Sequence, residues 1–563
     1  MWSRVEIGLH SITLLAGIES LLLIKNYNSF SGWMFTVAFP IFTANYICLF
    51  VYSTLVYPEF ISPLRRIPRG KWWLPRKLHR QLILGTTSAN ALYKIAQETP
   101  NDGVIALREA TGFCLAVTKP HVIAELLVHR AAHFQKPEPI RALLNSLTGG
   151  GIFSLEGDTH RYLRKKSLPH FGFRAVKDLY PLMWNHALKF AESLENELVR
   201  QHGGSNQGGP PSGKLEFTRW SDNTTVDIIG TTLFGREFKA LDESKDSKFD
   251  KAVQLLNVVV VPSVEMQLYL SLSVFFSMRL LKMIPWRMNQ KFEETMTRLK
   301  KTCIELVEDK RTAIKEGGQH VDILSQMIES KDFSDTQISA ELITYMLAGN
   351  DTTSITMSWA CYLLAVDQVR QDTLRKEVRE VLGPDVVFGE DIVSLLDRLP
   401  YLNGVINETL RLYPSVPVTP RMAICDTTLG GFHIPKGTDI LVSAWATNRS
   451  PELWGPTADK FEPERWISYE NGESGSQKLN PLGGSNSNYD FLTFIHGPRS
   501  CIGQGFARAE LRCLLAVISM QFEWALDGSQ KEVVPKGAIT SKPGNGLHLR
   551  LKRVDLGPEY KSN

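Results

Sequence analysis

One stretch near the C-terminal end constrains this chain more than any other: Phe494 to Gly503, read as FIHGPRSCIG. A single cysteine, Cys501, stands between Gly497 and Gly503, Arg499 precedes it, and an apolar helical run follows from about Phe506 to Trp524. That combination demands a tight loop delivered to a helix N-terminus, where backbone N–H groups and the helix dipole favour a charged sulfur. The glycines let a flat, bulky group come close to the backbone. An iron porphyrin is such a group, and a cysteine thiolate is one of its few protein ligands. The cysteine alone leaves a buried free thiol or a structural metal ligand equally open, although no Cys-x-x-Cys and no nearby His pair completes a zinc site.

The chain has 563 residues, enough for one large domain or several ordinary ones. With 43% hydrophobic and 22% charged residues it reads as globular rather than disordered. A net charge of +4 gives no bulk electrostatic case for nucleic acid. Seven cysteines, odd in number and without framework spacing, fit a reducing compartment better than a disulfide scaffold.

The N-terminus differs from everything after it. Gly32 to Val56 carries no charge, and about 20 apolar residues cross a bilayer. Trp33, Tyr52 and Tyr57 stand near its ends, where aromatic belts form, and Arg65, Arg66, Arg69 and Lys71 follow, which places the downstream body on the cytosolic side. Ile7 to Ile24 is a second apolar stretch, either another span, an interfacial helix or a signal-like segment. Pro58, Pro63 and Pro68 make a stiff connector. Gln201 to Lys214 and Tyr469 to Asn488 read as surface loops. Leu255 to Trp286 is either a core helix or a lid that dips into the membrane.

Asp335 to Asp367 reads as one long buried helix of roughly 50 Å, opened by a capping box of Ser334 and Gln337. Within it lies Ala348-Gly349-Asn350-Asp351-Thr352-Thr353, poor material for a helix core. A glycine there admits either a flat group or a neighbouring helix, and a threonine hydroxyl can bond a backbone carbonyl and open the helix locally. Glu408 and Arg411 share a helix face in apolar surroundings, so a buried pair there needs further partners. No Walker-type loop, nucleophile elbow or dinucleotide fingerprint is present, so the chain carries no signature for binding a nicotinamide cofactor itself.

The frame around Cys501 resembles the haem-binding signature of the cytochrome P-450 superfamily at Phe494, Gly497, Arg499, Cys501 and Gly503. The hexad at Ala348, Glu408 with Arg411, and the Phe461 to Trp466 segment resemble three further motifs of that family, in the family's order. The resemblance extends over roughly Arg69 to Val554 and is to microsomal members, with motif wording similar to filamentous-fungal ones. It implies a mostly α fold with small β-sheets, with residues 1–57 as membrane anchor, 58–71 as proline-rich basic connector and 72–563 as the haem-thiolate monooxygenase domain. Haem b would lie between the long helix and the Cys501 loop, with Cys501 as axial iron ligand and Ala348 and Gly349 beside it. His160, where the family often has tryptophan, Arg164, Arg421 and Arg499 would serve the propionates. Thr352 would hydrogen-bond the oxygen species and Asp351 relay protons from solvent. Glu408, Arg411 and Arg465 would form a structural charge triad.

The same resemblance implies O2 as co-substrate and NADPH used indirectly, through a cytochrome reductase with cytochrome b5 as a further donor. Arg161, Arg164, Lys165, Lys166, Arg508 and Arg512 would form the docking face for that acidic donor. The expected location is the endoplasmic reticulum membrane, with the catalytic domain facing the cytosol. The expected reaction is hydroxylation or epoxidation of a lipophilic small molecule in fungal secondary metabolism. Tyr345, Met346, Val416 to Thr419 and Ile539 to Ser541 would form the pocket wall. The alternatives are an oxygen-independent haem-thiolate isomerase or dehydratase, a housekeeping sterol or fatty-acid hydroxylase, and a non-catalytic haem carrier.

Overall fold

Contacts within the chain gather into two units that interleave along the sequence: Met1–His79, Lys94–Gln135 and Pro420–Val442 form the first, and Arg80–Tyr93, Lys136–Thr419 and Ser443–Asn563 the second. The computed structural model describes residues 39–73, 86–109, 112–202, 210–241, 286–317, 320–382, 392–469 and 477–554, apart from 529, 531 and 538, with the single positions 272 and 283.

The first unit begins with an apolar helix, Phe39–Val51, that widens into a π-type stretch, Tyr52–Ile61. Together these 23 residues are long and apolar enough to cross a membrane, with an 18-residue stretch of mean hydropathy 1.5. The helix runs past Tyr57 and carries Pro58 inside it rather than in the connector. The wider turn takes up the missing proline N–H and its ring, as π-bulges and prolines do where helices deform. Glu59 near its end is neutralised by Arg69 at 2.7 Å and Arg108 at 3.2 Å. The expected first apolar stretch, Ile7 to Ile24, lies outside the described residues.

The sheet of this unit runs Arg69–Trp73, Val104–Glu109, Gly112–Val117, Asp439–Ser443, Val418–Ala423, Phe134–Gln135 in spatial order. Val104 pairs with Val117 in an antiparallel hairpin, and Leu115 pairs in parallel with Ile440. Gly112–Val117 is buried along its whole length, which its unbroken small and apolar run (GFCLAV) allows. A separate hairpin, Thr427–Leu429 with Phe432–Ile434, turns at Gly430 (φ 56) and Gly431 (φ 79). Two left-handed residues in a two-residue loop give the turn twist that hairpins prefer, and glycine adopts it without strain.

The second unit is helical. Its axis is Asp335–Val366, close to the predicted span, with the predicted capping box: Ser334 Oγ accepts the Gln337 N–H at 3.3 Å and Gln337 Oε1 accepts the Ser334 N–H at 2.9 Å. It is buried on almost every face because helices Phe217–Phe234, Arg287–Lys315, Pro400–Leu412 and Gln504–Gln521 pack around it. Trp359 is fully buried, stacks on Tyr413 with centroids 4.0 Å apart, and donates Nε1–H to the Ser541 carbonyl at 2.7 Å.

Three expectations needed correction. The helix after Cys501 stops at Gln521, and Phe522–Leu526 is a strand paired with His548–Arg553, because its alternating side chains suit a half-buried sheet edge. The end of the predicted loop at Gln201 to Lys214 joins the same sheet as Ser212–Glu216, burying Leu215. The predicted loop at Tyr469 to Asn488 opens as a hairpin in which Tyr469 pairs with Gln477. The segment Leu255 to Trp286 lies almost wholly outside the described residues.

Candidate active site

The Cys501 loop is built by its backbone. Ile495 (φ 55) and Gly497 (φ 78) are both left-handed, which turns the chain sharply into the short helix Gly497–Arg499. The Cys501 N–H donates to the Phe494 carbonyl at 2.8 Å, closing the loop, and Gly503 caps helix Gln504–Gln521. Burial raises the Cys501 thiol, opposed by the Gly503 N–H and by Arg164. The helix N-terminus therefore acts on the sulfur in the direction expected from the sequence, but desolvation outweighs it. Cys501 is nonetheless exposed, so its sulfur opens into a recess walled by protein rather than onto the outer surface.

A cationic cluster lies beside it. Arg164, on helix Gly157–Ser167, donates Nη1–H to the Ser500 carbonyl at 2.7 Å and Nη2–H to Ser500 Oγ at 3.1 Å, clamping the residue before Cys501. Arg499 pairs with Glu156 at 2.6 Å, and the other oxygen of Glu156 takes Lys136 at 3.0 Å. His160 is buried next to these groups, and its pKa falls to about 4 through desolvation and then through Lys136 and Arg499, so it is neutral. Lys136 and Glu156 were missed from sequence; the only signal was a lysine before Pro137 and a carboxylate four residues ahead of His160. Arg421 belongs to the first unit, where it is buried and donates to the Pro420 carbonyl at 2.8 Å.

On the long helix, Ala348 is exposed and Leu347, Gly349 and Thr352 are half-buried, in the middle of an element buried on both sides of them. Thr352 Oγ1 donates to the Ala348 carbonyl at 2.7 Å, the local bond expected from the motif. Gly349 turns its bare side to Ile229, whose Cδ1 would stand 3.1 Å from an added Cβ; here the helix-contact reading of the glycine holds. Asp351 does not reach Thr352 but ion-pairs with Lys542. Tyr345 and Met346, expected on the pocket wall, are buried in protein, with Tyr345 edge-on to Phe171 at 4.9 Å. Ser541 is also buried, its N–H tied to the Ser415 carbonyl at 2.9 Å.

The charge triad assembles with more partners than the sequence suggested. Glu408 and Arg411 are fully buried and pair at 2.7 Å, Arg465 stands 3.5 Å away, and Trp466 Nε1–H donates to Glu408 at 2.9 Å. Of the expected docking charges, Arg161 and Lys165 are exposed. Arg508 instead turns inward over the Phe494 ring and to Asn407, and burial lowers its pKa to about 10. Arg512 is held by Asn403, Tyr180 and Asp397. Helix Gln504–Gln521 packs against the elements that carry Asn403, Asn407 and Tyr180, and these two side chains point toward them. Glu510 was missed altogether. It is fully buried, burial holds its carboxyl well above the usual range, and the Thr353 hydroxyl is the group that counters this. Its only trace in the sequence is a glutamate inside an apolar helical run.

The donor set fits an iron porphyrin. One soft sulfur opens into a recess, and no group of three His, Cys, Asp or Glu side chains among the described residues could hold a bare metal ion with it. Lys136, Arg164 and Arg499 less the single Glu156 leave two positive charges around a neutral His160, which matches the two propionates of haem.

The Cytochrome P450 family model matches residues 104–550, and the chain belongs to that family. It is similar to the cytochrome P450 monooxygenase ptmK of Penicillium ochrochloron, 34% identical over 510 residues that cover 89% of this chain and 96% of the relative. It is also similar to the cytochrome P450 monooxygenase sphH of Aspergillus fumigatus, 32% identical over 516 residues (90% and 91%). A plant relative, a cytokinin hydroxylase of Arabidopsis thaliana, is 28% identical over 450 residues, covering 78% and 79%. The chain is thus a monooxygenase of the oxidoreductases that incorporate molecular oxygen, and its family works with haem iron, dioxygen and a redox partner.

Proposed function

We propose that this protein is a membrane-anchored, reductase-dependent monooxygenase that hydroxylates or epoxidises a lipophilic metabolite of fungal secondary metabolism. The observation that carries the reading is the Cys501 loop, with its sulfur opening into a recess and Arg164 clamped to Ser500 beside it. Cys501 would hold the iron of haem b through its sulfur, with Phe494, Gly497 and Gly503 shaping its loop. Arg164, Arg499, neutral His160 and Lys136 would take the propionates. Ala348, exposed on the long helix, would leave room for the ring, whereas Gly349 serves the contact with Ile229. Haem supplies the reduction of dioxygen and the insertion of one oxygen atom into a C–H or C=C bond.

The chain's own share is orientation and proton delivery. The Thr352 hydroxyl releases the Ala348 carbonyl to donate at the distal side, and Asp351 replenishes its proton. Electrons come from NADPH through a cytochrome reductase, or from cytochrome b5, docking against exposed Arg161 and Lys165. The helix Phe39–Ile61 supports anchoring in the endoplasmic reticulum with the body on the cytosolic side. The fungal origin of the relatives supports secondary metabolism over the housekeeping alternatives.

The first test is a carbon monoxide difference spectrum of the dithionite-reduced membranes. The red-shifted Soret band of thiolate-ligated haem is expected, and is lost in Cys501→Ala. A well-expressed, haem-loaded protein without that band would refute the assignment. Thr352→Ala should keep haem but release peroxide in place of product. Product formed without NADPH and reductase would instead establish the oxygen-independent class.

A further inference from the structure

Next to Asp351 the structure gathers a charged cluster that the motif does not contain. Lys542 lies on the short strand Lys542–Pro543, and its ammonium ion-pairs with Asp351 Oδ1. The strand is fixed in place: Lys536 pairs with Lys542, the preceding Ser541 bonds Ser415, and Trp359 of the long helix donates to the Ser541 carbonyl. Asp351 is almost wholly buried, whereas a quarter of the Lys542 side chain (25%) reaches solvent. Lys542 therefore connects a buried carboxylate to water.

A second carboxyl faces the same place from helix Phe217–Phe234. Ser221 Oγ donates to the Ser354 carbonyl at 3.0 Å, and Thr225 Oγ1 meets Asn350 Oδ1 at 2.5 Å. These two contacts bracket Asp222 and hold it against the turn of the long helix that carries Asp351. Asp222 Oδ1 is buried without a hydrogen bond, and the Ser354 hydroxyl reaches the carboxyl. Burial raises Asp222 to about 6; Ser354 and Lys542 lower it, while Asp351 and Glu216 raise it. One ammonium thus faces two carboxyls in a poorly hydrated junction, where both carboxyls cannot be ionised without cost.

We propose that Lys542 and Asp222 are positioning residues of the proton relay: Lys542 fixes where the Asp351 carboxylate points, and Asp222 holds a second carboxyl beside it. The proposal rests on the Thr352–Asp351 relay stated above. Lys542 keeps Asp351 turned to the water side of the helix between turnovers. When a proton leaves this junction toward Thr352, the Lys542 ammonium balances the charge left behind, and the proton is restored from solvent at the exposed end of the lysine. Asp222 acts as a neighbouring store, protonated below about pH 6 and ionised above it.

The test uses the full-length protein in membranes with its reductase. Lys542→Met, Lys542→Arg, Asp222→Asn and Thr352→Ala are compared for peroxide released per NADPH across about pH 5.5 to 8.5. Infrared titration of the protonated-carboxyl band, without turnover, supplies a second readout. Lys542→Met should raise the peroxide fraction roughly two- to tenfold, with Lys542→Arg restoring most of the coupling. A carboxyl band titrating near pH 6 should vanish in Asp222→Asn and move to higher pH in Lys542→Met, because a stabilising cation is lost. Asp222→Asn should also remove the pH dependence of peroxide release near neutrality, and it carries the test if Lys542→Met does not fold. Thr352→Ala uncoupling while the Lys542 and Asp222 variants leave peroxide, pH profile and band unchanged would overturn this proposal and leave the relay standing. Thr352→Ala remaining fully coupled would overturn both.

Discussion

Glu408→Gln should destabilise the protein far more than a change of one atom suggests. The carboxylate receives Arg411 Nε at 2.8 Å and Nη2 at 2.7 Å, Trp466 Nε1 at 2.9 Å, the Glu462 N–H at 3.1 Å and Arg465 Nε at 3.5 Å. All of them meet acceptor-only oxygens, and Glu408 and Arg411 are completely buried. Glutamine keeps the shape but turns an NH2 group against at least one of these donors and removes the negative charge paired with Arg411, while Arg465 keeps Glu462 at 2.9 Å. Arg411 keeps its carbonyl partners at Asn448, Ala458 and Lys460, so its charge stays buried and uncompensated. Breaking one side of such a pair costs ~3–5 kcal/mol, a large share of a typical stability of ~5–15 kcal/mol. Denaturant unfolding of the detergent-solubilised full chain, followed by tryptophan fluorescence because Trp466 reports on the site, would measure it. Adding Arg411→Met should recover part of the loss, since an apolar group no longer needs a counter-charge. A Glu408→Gln protein within about 0.5 kcal/mol of wild type would refute the reasoning, because the network would then offset no more than its own desolvation.

Gly404→Ala should cost ~1–3 kcal/mol, because the new Cβ would stand 2.7 Å from the backbone oxygen of Pro463. Gly528→Ala, with open space around it, should be neutral in the same unfolding assay. His160 titrates at about 4 when folded against about 6.5 free, so its depressed value contributes stability that is present above 6.5 and lost as pH falls through 4. His160→Asn should therefore flatten the acid side of a melting-temperature profile, by at most ~3 kcal/mol between those limits; an unchanged profile would show that His160 is not the titrating group. Glu156→Gln should speed haem loss to an acceptor globin, since Lys136 and Arg499 lose the group that holds them in place; an unchanged rate would make Glu156 a bystander.

The sequence was most legible where chemistry and backbone coincide. The capping box at Ser334 and Gln337, the long helix behind it, the back-bond of Thr352 to Ala348 and the pairing of Glu408 with Arg411 follow from local spacing, whereas Arg465, 57 residues from Glu408, was reached only through the family resemblance. The end of helix Gln504–Gln521 was misread because Phe522 to Leu526 is as apolar as a helix, and only its pairing with His548–Arg553 makes it a strand. Arg508 and Arg512 were read as surface charges because a sequence shows charge but not direction; their partners Asn407, Asn403 and Tyr180 are about a hundred or more residues away. Lys542 and Asp222 were illegible for the same reason, since three separate segments meet at Asp351.

The same limit explains why cations were easier to find than their counter-ions. Arg164 and Arg499 lie next to the cysteine motif in space and carry its signature, but Glu156 acquires meaning only because Arg499 and Lys136 close on its two oxygens from different segments. Without Glu156, three cations would repel one another beside a histidine held neutral first by burial and then by Lys136 and Arg499. With it, they are held in place before any ligand arrives, and the surplus of two charges remains for a dianionic one. Preorganisation of this kind moves the cost of gathering like charges from binding into folding. The buried Glu408 network and the packing around Trp359 lie in the same unit and stabilise the fold against that cost.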